Sequence, residues 1–427
     1  MARRRRVVLF ADGGFLAHTT RALEVGRALH RAYDHEVIFC CSGPYSHLIS
    51  DAGFPVRPVF TVDREETLRL AKRAGLVSLA WWREMAERSV ASDVAALEAL
   101  RPDVVVGDFR MSLATSARQL RIPYVAITNA AWTSRYAERI HVPEGHLSTK
   151  LLGYRLADAI FPAVKRFLTW YWARGFDRVR QRAGLPPLGS LHELVEGDIT
   201  LLADVPEYFP ISVSPLRYRY VGPILWRASL PRPPWLQRLD RSRPTLYFTM
   251  GSTGDASFFS EAVRVFGRSQ YQVLITTGGL KVTLDELPDN IFVEEFADGD
   301  TLMSVSNLVV SHGGNGTIYQ ALSHGVPVLG VPTMFDQEIN LQRVEALGCG
   351  RRMERRHYNA ERLREAVEAV LSDESYRRAC MRMQRRIAYL DGPRRAAVHI
   401  NHLLCSGQVD DCPDNVTHAV RALAGEP

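Results

Sequence analysis

Ser311-His-Gly-Gly-Asn-Gly-Thr317 lies between a short apolar run, Asn307–Val310, and a helical stretch, Ile318–Ser323. Glycines at such a strand-to-helix turn let the backbone approach a ligand closely. The helix that follows directs its free N–H groups and the positive end of its dipole at the same place. The turn therefore reads as a site for a diphosphate, with His312, Asn315 and Thr317 able to add side-chain hydrogen bonds. A lone glycine-rich turn can equally be only a tight turn, so its surroundings have to decide.

Outward from this turn the same pattern repeats. Apolar runs at Thr245–Thr249, Gln272–Thr276, Asn307–Val310 and Val326–Val331 alternate with helical stretches. Runs without polar alternation belong to strands buried on both faces, the mark of a parallel sheet covered by helices. The amino half repeats it with Arg6–Ala11, Glu36–Cys41, Asp103–Gly107 and Tyr124–Thr128, interleaved with helices at Thr19–His30 and Ser112–Leu120. The predicted fold is α/β, two doubly wound Rossmann-like domains. Between them Ser229–Pro244 carries Pro231, Pro233, Pro234 and Pro244, which fit neither a helix interior nor a central strand. The expected organisation is a domain over 1–225, a linker over 226–243 and a second domain over 244–376. Helices over 377–405 are expected to pack back on the amino domain, with a tail at 406–427.

Composition narrows the function classes. The 427 residues are 46% hydrophobic, and 53 Lys plus Arg stand against 47 Asp plus Glu for a net charge of +6. So small a surplus, four charges of it in Arg3–Arg6, is not the footprint of a nucleic-acid binder. None of the six cysteines forms a CxxC pair, which indicates a reducing compartment and no structural zinc. Asp12-Gly13-Gly14 interrupts the only stretch resembling a signal peptide, and no apolar run approaches the roughly 20 residues of a membrane span. The expectation is a cytoplasmic protein. The basic, aromatic region Trp132–Arg182, with Phe161, Trp170 and Trp172 beside Lys165 and Arg166, reads as core, as an acceptor-pocket wall or as a peripheral membrane contact.

Gln320-Ala-Leu-Ser-His-Gly-Val-Pro-Val-Leu-Gly-Val-Pro332, Phe335-Asp336-Gln337 and Asn340 follow the glycine-rich turn. With them the sequence resembles the glycosyltransferases of GT-B fold, in which two such domains face each other across a cleft. The likeness is to the family containing UDP-glucuronosyltransferases, plant UDP-glycosyltransferases and bacterial antibiotic glycosyltransferases. It is dense over Phe296–Gly350 and weaker over the rest of the carboxyl half.

That resemblance implies roles for residues. His312 and Gly314, Asn315, Gly316 and Thr317 would bind the donor's diphosphate, and Gln320 stands where the family usually has a Glu holding the ribose hydroxyls. Asp336 and Gln337 match the pair that grips the transferred sugar. Met250-Gly251-Ser252 resembles the serine turn that contacts phosphate, and Thr277-Gly278 the turn near the nucleoside. Phe296 and Ala297 take the place of a Trp-x-Pro-Gln segment whose ring stacks on uracil, which favours uridine over thymidine less firmly than the full signature would. In the amino half, His18 aligns with the family's general base and Asp108 with the aspartate that orients it, while Arg21 occupies the place of a usual proline. A histidine at the carboxyl edge of a parallel sheet is physically suited to that work.

The resulting expectation is an inverting, metal-independent hexosyltransferase. It would move a sugar from a nucleotide diphospho-sugar, a co-substrate rather than a bound cofactor, to a hydroxyl of a small, apolar or lipid-like acceptor. A hydroxyl-rich hexose such as glucose on UDP is the favoured donor, and Asp108→Asn is expected to slow transfer without altering the fold. Two alternatives stay open: a nucleotide-sugar epimerase, and a degenerate paralogue that binds a donor or a partner glycosyltransferase.

Overall fold

The computed structural model describes residues 4–72, 78–143, 146–212, 217–226, 230–251, 254–284, 287–354 and 358–407. The chain forms two α/β units. The first gathers Met1–Arg139, Pro162–Trp226 and the chain from Leu390 on; the second gathers Ile140–Phe161 and Arg227–Tyr389.

The first unit is built on seven strands: β1 (Arg6–Phe10), β2 (Glu36–Cys40), β3 (Val56–Arg57), β4 (Val104–Asp108), β5 (Tyr124–Thr128), β6 (Ile199–Leu202) and β7 (Tyr218–Tyr220). They pair parallel in the order β3-β2-β1-β4-β5-β6-β7. β1 shows why its run lacks alternation. Val7 and Leu9 enter one core with Ile400 and Val106, while Val8 and Phe10 enter the opposite core with Ala86 and Leu113. Both faces are covered, so both sets of positions must be apolar.

The second unit carries β8 (Thr245–Thr249), β9 (Gln272–Thr276), β10 (Ile291–Glu294), β11 (Leu308–Ser311), β12 (Val328–Gly330) and β13 (Gly350–Arg352). Their order is β10-β9-β8-β11-β12-β13, again parallel. In each sheet the winding reverses once, between β1 and β4 and between β8 and β11. In open parallel sheets ligands bind at the carboxyl edge beside such a reversal.

The domain boundaries differ from those expected. Ile140–Phe161 groups with the second unit, because His141 N donates to Gln342 Oε1 (3.0 Å) and the Phe161 ring lies 6.1 Å from that of Phe335. Within the expected linker, Trp235 stacks on Phe292 at 5.1 Å and donates Nε1–H to Glu294 (2.7 Å), so this stretch is packed onto the second unit. The carboxyl-terminal helices divide. Glu374–Ile387 packs on the helix Asn315–Ser323, and only Gly392–Ser406 packs on the first unit's helix Leu16–Ala32. The second of them starts at a close backbone crossing: a Cβ on Gly392 would stand 2.3 Å from the Pro223 carbonyl oxygen.

Candidate active site

In the first unit the chain turns sharply after β1. Asp12 Oδ1 accepts from the Gly14 N–H at 2.9 Å, and a Cβ on Gly13 would collide with the Ser42 carbonyl at 2.4 Å. The helix Leu16–Ala32 then begins at once, which sets His18 in its first turn beside the end of β4. There His18 Nδ1 meets Asp108 Oδ1 at 2.7 Å. Asp108 is fully buried, whereas the His18 side chain keeps 27% exposure.

Two features that the sequence reading did not assign complete this pair. Arg21, one helical turn after His18, clamps the same carboxylate with Nε to Oδ2 (2.5 Å) and Nη2 to Oδ1 (2.7 Å). Its Nη1 donates to Asn129 Oδ1 (3.0 Å), and Asn129 Nδ2 donates to Asp204 (2.9 Å). Burial by itself would push the Asp108 carboxyl up; the charge and hydrogen bonds of Arg21, with the His18 bond, outweigh it and hold Asp108 below the usual carboxylate range. Burial likewise opposes the Arg21 charge, and Asp108 more than reverses that. The second feature is Phe109, left-handed at φ 50°, whose ring stacks on His18 (5.4 Å, 21°) while Phe15 meets the imidazole edge-on at 6.2 Å. A non-glycine residue there costs on the order of 1–3 kcal/mol, strain that collects at functional sites. The spacing of three between His18 and Arg21 was the available signal, since such residues share a helix face.

In the second unit the loops after β8 and β11 meet around His312. A Cβ on Gly251 would stand 2.6 Å from the ring's Cε1, and one on Gly314 2.7 Å from Nε2, so the ring is seated between two glycines. Gly251 is also left-handed, at φ 53°. His312 is buried, and its Nδ1 has no partner among the described residues. The helix begins at Asn315, three residues earlier than expected, which brings Asn315, Gly316 and Thr317 into its first turn; its N-cap residue, Gly314, supplies no side-chain cap. First-turn N–H groups have no partner within a helix, and a Cβ on Gly316 would meet no atom within 4 Å, so packing does not dictate glycine there.

The neighbouring turn joins this cradle. Thr277 N and Gly278 N donate to the carbonyls of Glu294 and Glu295 (3.0 and 2.8 Å), and a Cβ on Gly278 would stand 3.0 Å from the Gly251 oxygen. Phe296 is 49% exposed and approaches Gly279, whose Cβ would lie 3.4 Å from the ring. Ala297 is half-buried, and a Cβ on Gly299 would meet the Gln320 amide at 3.0 Å. Gly251, Gly278, Phe296, Gln320 and His312 thus border one region of the second unit, while Ser252 lies outside the described residues. Gln337 is 1% exposed and its Oε1 accepts from Thr333 N and Oγ1 (both 2.9 Å) and from Met334 N (3.2 Å), so its oxygen caps its own helix, Phe335–Ala346. Asp336, one residue before, is half-buried.

Burial pushes His312 down to about 4, and it pushes His399, in the helix Gly392–Ser406, down to about 3 with help from Arg219, Arg395 and His402. Both values lie below the ordinary ~6.5. Between that value and the folded one the unfolded chain binds more protons, so stability must fall as pH drops from about 6.5 toward 4. Urea midpoints measured across this window should decline, and His399→Gln should remove roughly one proton from the slope. A wild-type midpoint that stays level over the window would contradict the neutral burial of both rings.

The comparisons with known proteins agree with this architecture. Residues 265–402 match the family model described as erythromycin biosynthesis protein CIII-like, C-terminal domain. A Mycobacterium tuberculosis H37Ra protein named PGL/p-HBAD biosynthesis glycosyltransferase is 32% identical over 395 residues, 92% of this chain and 90% of that protein. A Mycobacterium bovis BCG protein named PGL/p-HBAD biosynthesis rhamnosyltransferase is 33% identical over 384 residues, 90% of this chain and 84% of that one. A shorter match from the same organism, 32% identical over 270 residues (63% and 72%), is named an inactive glycosyltransferase. Among solved structures, the spinosyn rhamnosyltransferase SpnG complexed with thymidine diphosphate superposes with a TM-score of 0.68 at 18% identity, covering 93% of this chain and 99% of that one. From sequence relationship and fold together, the chain belongs to the GT-B natural-product glycosyltransferases, the family of these mycobacterial enzymes.

Proposed function

We propose that this glycosyltransferase transfers a hexosyl group, with inversion, from a nucleoside diphospho-sugar held by the second unit to a hydroxyl of a small, largely apolar acceptor held by the first. The observation that carries the reading is the 2.7 Å contact of His18 Nδ1 with a buried, ionised Asp108. A carboxylate only accepts, so it fixes the tautomer with the proton on Nδ1 and leaves the lone pair on Nε2. As the acceptor oxygen bonds to the anomeric carbon from the face opposite the diphosphate, its proton passes to Nε2 and the bond from that carbon to the diphosphate oxygen breaks. Asp108 then stabilises the imidazolium, the division of labour seen in hydrolytic triads. The departing negative charge meets the start of the helix at Asn315 and the neutral His312, donors that need no reorganisation. We assign this charge stabilisation to the protein alone, without a metal. The His18–Asp108 pair supports catalysis over the donor-binding paralogue, which has no use for a polarised base.

The donor is a pyrimidine nucleotide, its base resting on the single ring of Phe296. Two observations favour a thymidine diphospho-deoxyhexose over the UDP-hexose expected from sequence. The neutral Gln320 holds ribose hydroxyls without a charge and so more weakly than a carboxylate would, and the Gln337 oxygen already accepts from three donors, which leaves its Nε2 amide and Asp336 to grip the sugar. The names of a rhamnosyltransferase relative and of the thymidine diphosphate complex point the same way. Competition between UDP-glucose and dTDP-rhamnose in a donor-hydrolysis assay with excess EDTA tests this. Turnover should persist in chelator, dTDP-rhamnose should win, and Asp336→Ala should lower its use about tenfold or more, the loss of one buried polar contact. Preference for UDP-glucose, an unaffected Asp336→Ala variant, or loss of activity restored only by magnesium or manganese would each refute the corresponding part.

A further inference from the structure

Nine of the fourteen exposed large hydrophobic side chains among the described residues fall between Leu147 and Trp170. They occupy the helix Leu147–Leu152 and the helix Tyr154–Ala173, which continues through Pro162. On the longer helix Ala157, Phe161, Thr169 and Ala173 are buried, so that face is covered by the protein. On the opposite face Leu156, Ile160, Phe167 and Trp170 are 53%, 38%, 58% and 45% exposed. Their spacing of four, seven and three residues keeps them in one stripe about 21 Å long at 1.5 Å per residue. Leu147 and Leu151 of the preceding helix add exposures of 66% and 74%. Isolated surface leucines are ordinary; a continuous stripe with two aromatic rings marks a surface that something covers.

The charges around the stripe identify the occupant. From Leu147 to Ala173 the exposed basic residues are Lys150, Arg155 and Arg166; Lys165 shares the covered face with Phe161 and Thr169, as does the one acid, Asp158, beside Ala157. Asp158 is held by His141 at 3.1 Å and by the Val142 N–H at 2.9 Å. Just beyond the helix, the Arg174 guanidinium sits 5.3 Å from the centroid of the Trp170 ring. Leucine and aromatic side chains on one face, bordered by arginine and lysine, are the composition of a helix that lies in a lipid interface. A second copy meeting this face about a two-fold axis would set the same positive border against itself, which disfavours self-association. No helix among the described residues is long and apolar enough to cross a membrane.

We propose that the outer face of the helix Tyr154–Ala173, with Leu147 and Leu151, docks on an anionic membrane surface, its rings and leucines entering the headgroup boundary and its basic residues meeting lipid phosphates. The inference is independent of the donor and of the base assigned to His18. Full-length protein should co-sediment with phosphatidylcholine vesicles containing phosphatidylglycerol and remain largely in solution with phosphatidylcholine alone, and added salt should weaken binding. The triple variant Leu156→Ser, Phe167→Ser, Trp170→Ser changes only exposed positions. It should melt like the wild type and lose about tenfold or more in vesicle affinity. Wild-type protein that stays in solution with anionic vesicles overturns the proposal, as does equal binding by the triple variant. A wild-type dimer that the triple variant dissolves, without vesicle binding, would assign the face to a second copy.

Discussion

His18→Ala is expected to lower transfer by about 10²–10⁴-fold, the usual worth of a positioned general base, and to leave donor affinity unchanged. The expectation rests on position. Of the two ring nitrogens, Nδ1 is committed to Asp108, and stacking on Phe109 at 5.4 Å with the edge contact from Phe15 fixes the ring plane. On the proposed roles, alanine removes the proton acceptor and none of the groups assigned to the nucleotide. The loss should therefore appear in the single-turnover rate at saturating donor, while titration of the nucleoside diphosphate gives the wild-type dissociation constant. A variant that transfers at the wild-type rate would take His18 out of the chemistry.

Asp108→Asn should have two separable effects, because Asp108 serves two partners. An amide in place of the carboxylate no longer guarantees the productive tautomer of His18, a change that costs about 10⁴-fold in the comparable hydrolytic triad. It also leaves the Arg21 guanidinium, 12% exposed, without the anion that it grips through two hydrogen bonds. Breaking a buried pair by neutralising one member costs about 3–5 kcal/mol. The expectation from sequence that the fold would be unaffected therefore gives way: the variant should unfold at clearly lower denaturant. Adding Arg21→Gln removes the stranded cation, so the double variant should regain much of the stability and none of the rate. Such a non-additive stability cycle is what direct contact produces. Additive losses, or a double variant that recovers turnover, would show that the clamp and the His18–Asp108 pair are unrelated.

The parts of the molecule legible in the sequence are those dictated by local pattern. The eight central strands could be read because both faces of a covered parallel sheet demand apolar residues, as Val7 to Phe10 show within β1. The outer strands β3, β6, β7, β10 and β13 escaped; Gly350-Arg351-Arg352 has no strand-like pattern and becomes β13 only by pairing with β12. The glycine-rich turn after β11 was legible for the same local reason, since only glycine permits the backbone at Gly314 to pass 2.7 Å from the His312 ring for a prospective Cβ.

What the sequence alone determined is thus the fold class, the strand-to-helix turns and the identity of His18, Asp108 and His312 as candidates. Tertiary structure decided which side chains share a partner. That Arg21 grips Asp108, 87 residues away in sequence, depends on β1 lying beside β4. The return of Gly392–Ser406 to the first unit, and the outward turn of Leu156, Ile160, Phe167 and Trp170, likewise depend on which helix faces find a partner. Periodicity tells that a residue is apolar and on which side of its own helix it lies. Only the packing of distant elements determines whether that side meets a core or water.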